Sequence, residues 1–208
     1  KREETIRMKI GIVANIMQDK PLAEALDYFR NIGIQTIEPG CGGLITLPYF
    51  AGERTPINDP LACGCLLGLT LAHTRAHLYR SALESVAYSV NQQIRIMEAH
   101  DNVDIDQIFA VGGGVQNPHW MQIVADVTGK EINTPLVTIG ASFGDAMMAA
   151  TAVKYPGFED FAALTKFIKP GCTFSPNPEA HEQYKAFQEV YDKLYPATVE
   201  LMHALAKQ

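Results

Sequence analysis

Long hydrophobic runs are missing from this sequence of 208 residues, and so is any cluster of basic side chains. No apolar stretch approaches the roughly 20 residues that a bilayer-crossing helix needs. The opening, Lys1 to Ile16, carries charges but no signal-type cleavage region, so the sequence predicts a cytoplasmic chain with no membrane partner. Lys and Arg number 17 against 23 Asp and Glu, a formal net charge of −6, and they are spread along the chain. Nucleic acid is therefore excluded as an expected partner, because a phosphate backbone is held by clustered positive charge. Cysteine is scarce as well. The four are Cys41, Cys63, Cys65 and Cys172, and the one close pair has only Gly64 between its members, too tight for a zinc knuckle. Free thiols are expected and no metal site. His73 and His77 stand four apart, as zinc ligands on a helix do, but no carboxylate lies between them as in zinc peptidases. Packing or capping at a helix start is the expectation for both.

What is present suffices for a core, since 47% of the residues are apolar. Organisation changes near Gly40 to Gly43. Before it, Lys9 to Ile16 reads as a strand, Leu22 to Asn31 as an amphipathic helix and Gln35 to Glu38 as a second strand, a βαβ unit that needs further strands beside it. After it the pattern is α/β throughout. Gly43 to Phe50 is a strand candidate, and Gly52, Pro56, Asn58 and Pro60 punctuate a loop to Gly64. From about Thr74 to Ala99, Leu78, Ala82, Val86, Val90 and Ile94 recur at four-residue spacing, with Leu83, Ala87 and Met97 widening the stripe. One long helix with one apolar face is predicted. The run Ile108 to Val111 predicts a strand covered on both sides. Asn117 and Pro118 then open a helix that Gly129 stops. A strand pair over Glu131 to Thr138, a helix from about Ser142 to Lys154, and a loop marked by Pro170, Pro176 and Pro178 follow. Tyr184, Phe187, Tyr191 and Leu194 form a last stripe, read as core packing.

The sharpest chemical feature is Gly112, Gly113 and Gly114, set between a strand and the helix that Asn117 begins. Glycines let a ligand approach the backbone closely, and a helix start offers free N–H groups and partial positive charge. No Lys-Ser/Thr ending follows, so this is not a P-loop, and the spacing does not fit the dinucleotide fingerprint. Alone, the turn is as consistent with tight packing as with a ligand. Glu53, Arg54, Arg75 and Glu84 are read as ion pairs and loop anchors, and Asp126 and Asp145 as helix residues with structural hydrogen bonds or ligand roles left open.

Two resemblances follow. Met8 to Asn15, with Asp19 to Pro21 and Glu24 to Phe29, resembles the opening of sugar isomerase/epimerase TIM barrels. No later strands of that kind follow, so isomerase activity is not expected. From Gly43 onward the chain resembles the FGGY carbohydrate kinases, with a xylulokinase-like flavour. Gly64 to Leu69 followed by His77 to Glu84 is similar to that family's second signature, and Leu47 to Pro56 with Asp59 to Ala62 to the loop before it. Gly112 to Gly114, Asn117, Trp120, Gln122, Ala125 and Asp126 resemble its adenine-side segment, and Ala141 to Ala150 with Gly144 the helix that follows.

The resemblance implies an incomplete α/β domain of the ribonuclease H-like/actin-like ATPase fold over residues 43–208, preceded by the βαβ segment of 1–42. It implies ATP with Mg²⁺ and a ketose such as xylulose as substrate. Gly113 is expected to approach the nucleotide through its backbone, Gly112 and Gly114 to shape the turn, and Asn117 to touch the base or ribose while capping the helix. The family's catalytic base is an Asp of an amino-terminal lobe that these residues do not contain, so no catalytic residue is assigned here. The expected partners are that lobe or a second copy of the chain.

Overall fold

A computed structural model describes residues 38–206. The strand, helix and strand expected over Lys9 to Glu38 lie outside these residues, except for Glu38 itself. The described residues form two compact units, one of residues 38–85 with 190–206 and one of Val86–Glu189.

In the first unit, β1 (Ile45–Leu47) pairs antiparallel with β2 (Cys65–Leu67), Ile45 opposite Leu67 and Leu47 opposite Cys65. The strand predicted from Gly43 to Phe50 is thus shorter than expected, and β2 was not anticipated. All three residues of β1 are buried. The chain enters β1 through a turn in which Gly40, Cys41, Gly42 and Gly43 all have positive φ. Gly43 N–H donates to Gly40 O at 2.8 Å and closes the turn.

The helix α1 (Arg75–Asp101) begins as predicted and buries a face rotated from the predicted stripe. Leu83, Ala87 and Ile94 are buried, but so are Ser81, Glu84, Ser85 and Tyr88, while Met97 is 45% exposed. Ser81, Glu84 and Ser85 have hydrogen-bond partners, which is what permits their burial. Ser81 and Ser85 donate to the carbonyls of Leu78 and Ala82, and the Ser81 hydroxyl also meets that of Thr46 at 2.8 Å. Glu84 is fully buried. Its Oε1 accepts from Arg80 Nε at 2.8 Å and from Gly40 N–H at 3.3 Å, and its Oε2 from the Cys41 thiol at 3.4 Å. Burial pushes that thiol's pKa well up, and the neighbouring Glu84 charge adds to the effect.

The second unit holds a three-stranded sheet in the order β3-β4-β5, with β3 (Gln107–Phe109), β4 (Glu131–Pro135) and β5 (Pro170–Phe174). β3 and β4 run parallel, joined by α2 (Pro118–Thr128), as a βαβ unit requires. α2 packs through Met121, Ile123, Val124, Ala125 and Val127, and Ile132 at the centre of β4 is fully buried. β3 departs from its prediction: Phe109 is 69% and Val111 56% exposed, so the run is not covered on both sides. β5 pairs antiparallel with β4 where a loop was predicted. Its ladder is irregular between Asn133 and Pro135, and there the Thr134 hydroxyl donates to Cys172 O and accepts from Cys172 N–H, both at 3.1 Å.

The helix α3 (Ala141–Ala152) contains no buried residue despite its apolar sequence. The last helix, α4 (Pro178–Ala206), starts at Asn177, whose side chain accepts from the N–H groups of Glu179 and Ala180. Its predicted stripe is buried at Tyr184, Tyr191 and Leu194. Tyr184 meets the Tyr88 ring edge-on at 6.0 Å. No helix among the described residues is long and apolar enough to cross a membrane.

Candidate functional site

The carboxyl ends of the parallel strands β3 and β4 release two turns that lie side by side. After β3, Gly112 takes φ +99°, a value open to glycine, and Gly113–Gln116 form a 3₁₀ turn. Gly112 N–H donates to Thr138 O at 2.8 Å, tying this turn to the one that leaves β4. Gly140, at φ +61° in that second turn, is so close that an added Cβ would lie 3.7 Å from Gly112 N and from the Val111 side chain. Open α/β sheets place ligands at such strand ends, in the crevice between neighbouring turns.

The three glycines differ in what surrounds them. A Cβ on Gly114 would lie 2.8 Å from the Trp120 ring, so Gly114 is required for the packing of that indole. Around Gly112 and Gly113 a Cβ would meet nothing within 4 Å, and the backbone there borders open space. Asn117 ends the turn and caps α2, its Oδ1 accepting from Trp120 N–H at 3.2 Å. The cap uses the side-chain oxygen and leaves the amide NH₂ for another acceptor. The structure thus brings Gly112, Gly113, Gly114 and Asn117 together in one turn.

Sequence reasoning missed Thr138 and Gly140. The signal was the position of Gly140, between the β4 run and the start of α3. Gly140 offers no side-chain cap, and only its carbonyl serves the start of α3, accepting from Phe143 N–H and Gly144 N–H, each at 3.2 Å.

Several other candidate residues make structural hydrogen bonds. His73 Nδ1 accepts from Thr70 N–H at 2.9 Å, so its Nε2 carries the proton and donates to Cys41 O at 3.0 Å. His77 Nδ1 accepts from Thr74 N–H at 3.2 Å, repeating the arrangement one turn later. Glu53 accepts from Thr55 N–H within its loop. Asp126 Oδ1 accepts from Gln122 Nε2 and from Asn177 N–H, each at 2.8 Å, which joins α2 to the start of α4. Asp145 is exposed on α3. Among the described residues no group of three or more His, Cys, Asp or Glu side chains could hold a metal ion.

Residues 16–153 match the FGGY family of carbohydrate kinases, C-terminal domain. The chain belongs to the FGGY family. The match begins upstream of Gly43 and includes β3, the glycine turn, α2, β4 and α3. The xylulose kinase of Lactococcus lactis is 33% identical over 176 residues, which is 84% of this chain and 35% of that protein. Glycerol kinase 2 of Saccharolobus solfataricus is 38% identical over 143 residues, 63% of this chain and 28% of that protein. The crystal structure of xylulose kinase from Rhodospirillum rubrum superposes with a TM-score of 0.66 at 30% identity, covering 87% of this chain and 35% of that one. The ligand-bound xylulose kinase of Lactobacillus acidophilus shares the fold, with a TM-score of 0.71 at 24% identity over 83% of this chain. The α/β fold is therefore the actin-like ATPase fold of the FGGY sugar kinases. The chain spans about a third of the length of the xylulose kinases of Lactococcus lactis and Staphylococcus epidermidis that it matches.

Proposed function

We propose that this chain is the nucleotide-binding part of an ATP-dependent carbohydrate kinase that phosphorylates a ketose such as xylulose. The observation that carries the reading is the uncovered backbone at Gly112 and Gly113, at the carboxyl ends of two parallel strands and ahead of a capped helix start. ATP would lie against Gly113, with Gly112 and Gly114 holding the turn and the Asn117 NH₂ directed to base or ribose. An uncovered glycine backbone fits a flat purine or ribose, which needs close approach more than charge. Phosphoryl transfer rests on positioning and charge neutralisation. Mg²⁺ would be carried by the nucleotide's own phosphates, a mode that suits an ion reluctant to shed its water, and no protein ligand is assigned to it. The catalytic base and the sugar contacts belong, on this reading, to an amino-terminal lobe outside these 208 residues. The division between residues 1–42 and 43–208 is part of the same proposal.

Titration with a non-hydrolysable ATP analogue is expected to shift the amide resonances of residues 112–117. Gly113→Val should weaken that binding about tenfold or more, a loss of roughly 1.4 kcal/mol or more, without loss of stability, because its side chain has room in the free protein. Unshifted amides in a folded protein would sink the proposal. In a coupled ADP-release assay with xylulose and other ketoses, the chain alone should give background turnover. Adding a separately produced amino-terminal kinase lobe should raise it.

A further inference from the structure

Asp59 lies in the loop that follows β1 and is 9% exposed. Its backbone closes that loop, with Asp59 N–H donating to Glu53 O at 2.7 Å and Glu53 N–H to Asp59 O at 2.8 Å. One oxygen of its carboxylate stays within the loop and the other reaches α4. Oδ1 accepts from Leu61 N–H at 2.9 Å, while Oδ2 accepts from Tyr195 OH at 2.7 Å and from His203 Nε2 at 2.6 Å.

Tyr195 and His203 stand on opposite sides of Pro196, which lies inside α4. A proline there supplies no N–H and its ring crowds the carbonyl four residues earlier, so the helix is weakest at this point. One carboxylate oxygen therefore bridges Pro196. Apolar anchoring beyond the proline is thin: Met202 is buried, but Leu201 and Leu205 are 67% and 66% exposed. A second contact joins the same partners, from the Cys63 thiol to Met202 O at 3.6 Å. Tyr49 packs its ring edge-on against Tyr195 at 5.8 Å. Among the described residues, the titratable groups on the elements packed here are Tyr195 and His203 of α4, which touch the carboxylate, Tyr49 after β1, which touches Tyr195, and Glu53 and Cys63 of the loop.

We propose that Asp59 is a positioning residue that straps the loop of residues 51–63 to the end of α4 across Pro196, so that the loop and residues 197–206 open and close as one unit. The loop carries Glu53 to Pro56, and its exposure is then set by a helix end that is distant in sequence. The hydrogen bonds from His203 and then Tyr195 hold the Asp59 pKa below the usual carboxylate range. The strap is accordingly intact above that range and is lost as pH falls through the lowered value.

Hydrogen exchange of the full chain, read by peptide, tests the coupling. Asp59→Asn should speed exchange about tenfold or more in both 51–63 and 197–206, with β4 unchanged. After correction for intrinsic rates, acidification of the wild type should loosen the same two segments together, below about pH 4, and Asp59→Asn should lack this step. Should Asp59→Asn not fold, His203→Gln and Tyr195→Phe keep the carboxylate and should loosen both segments by smaller factors. Loosening of one segment without the other, or of neither, would overturn the proposal.

Discussion

Glu84→Ala should destabilise the protein by about 3–5 kcal/mol, the range seen when one partner of a buried charged pair is removed. The Glu84 side chain is fully buried and its partner Arg80 only 12% exposed. Truncation deprives the Arg80 guanidinium, the Gly40 N–H and the Cys41 thiol of this acceptor at once. Unmet buried donors cost more than a formed hydrogen bond contributes, which puts the expectation well above that for an exposed ion pair. For a chain of this size each kcal/mol moves the melting temperature by about 2–4 °C. Calorimetry should therefore show a fall of about 10 °C, with Glu84→Gln intermediate because its amide oxygen still accepts. A Glu84→Ala protein that melts within about 2 °C of wild type would remove the buried network from the account of stability.

Gly68→Ala should cost about 3 kcal/mol or more, by a different route. Gly68 holds φ +89°, and its missing Cβ would lie 2.2 Å from Gly43 O and 3.2 Å from Gly43 C. Both neighbours are backbone atoms at the end of the β1–β2 pair, so no side chain can turn aside to make room. Urea unfolding should show a lower midpoint with little change in slope. Gly144→Ala is the control. That residue lies inside α3, an added Cβ meets nothing within 4 Å, and the change should stabilise by about 0.5–1 kcal/mol through helix propensity. Equal effects at the two positions would show that backbone approach is not what fixes Gly68.

Periodicity and end signals made the helices legible. Asn117, Pro118 and Gly129 bracket α2 as read, and Gly129 takes φ +67° at the helix end. The buried face of α1 was misread, because buried serines and a buried glutamate carry no hydrophobic signal and only their hydrogen bonds, that of Gly40 to Glu84 distant in sequence, explain them. β5 was hidden by its own composition. Pro170 is a strand's first residue, a position where the ladder tolerates proline, and the Thr134 hydroxyl repairs the pairing beyond it. The strand pair expected over Glu131 to Thr138 is a single strand that stops at Pro135, with Leu136 and Ile139 exposed. At the candidate site, the glycine turn and the Asn117 cap could be read along the chain. Thr138 and Gly140 could not, since only the parallel pairing of β3 and β4 brings the second turn alongside the first.

The seclusion of Cys41 gives the molecule a built-in clock. A thiol must be both accessible and ionised to react. Cys41 is fully buried and hydrogen-bonded to Glu84, whereas Cys172 is exposed and Cys63 and Cys65 are half-buried. Alkylation of Cys41 therefore waits for the Gly40 to Gly43 turn to part from α1, and its rate measures how often that parting occurs in the native protein.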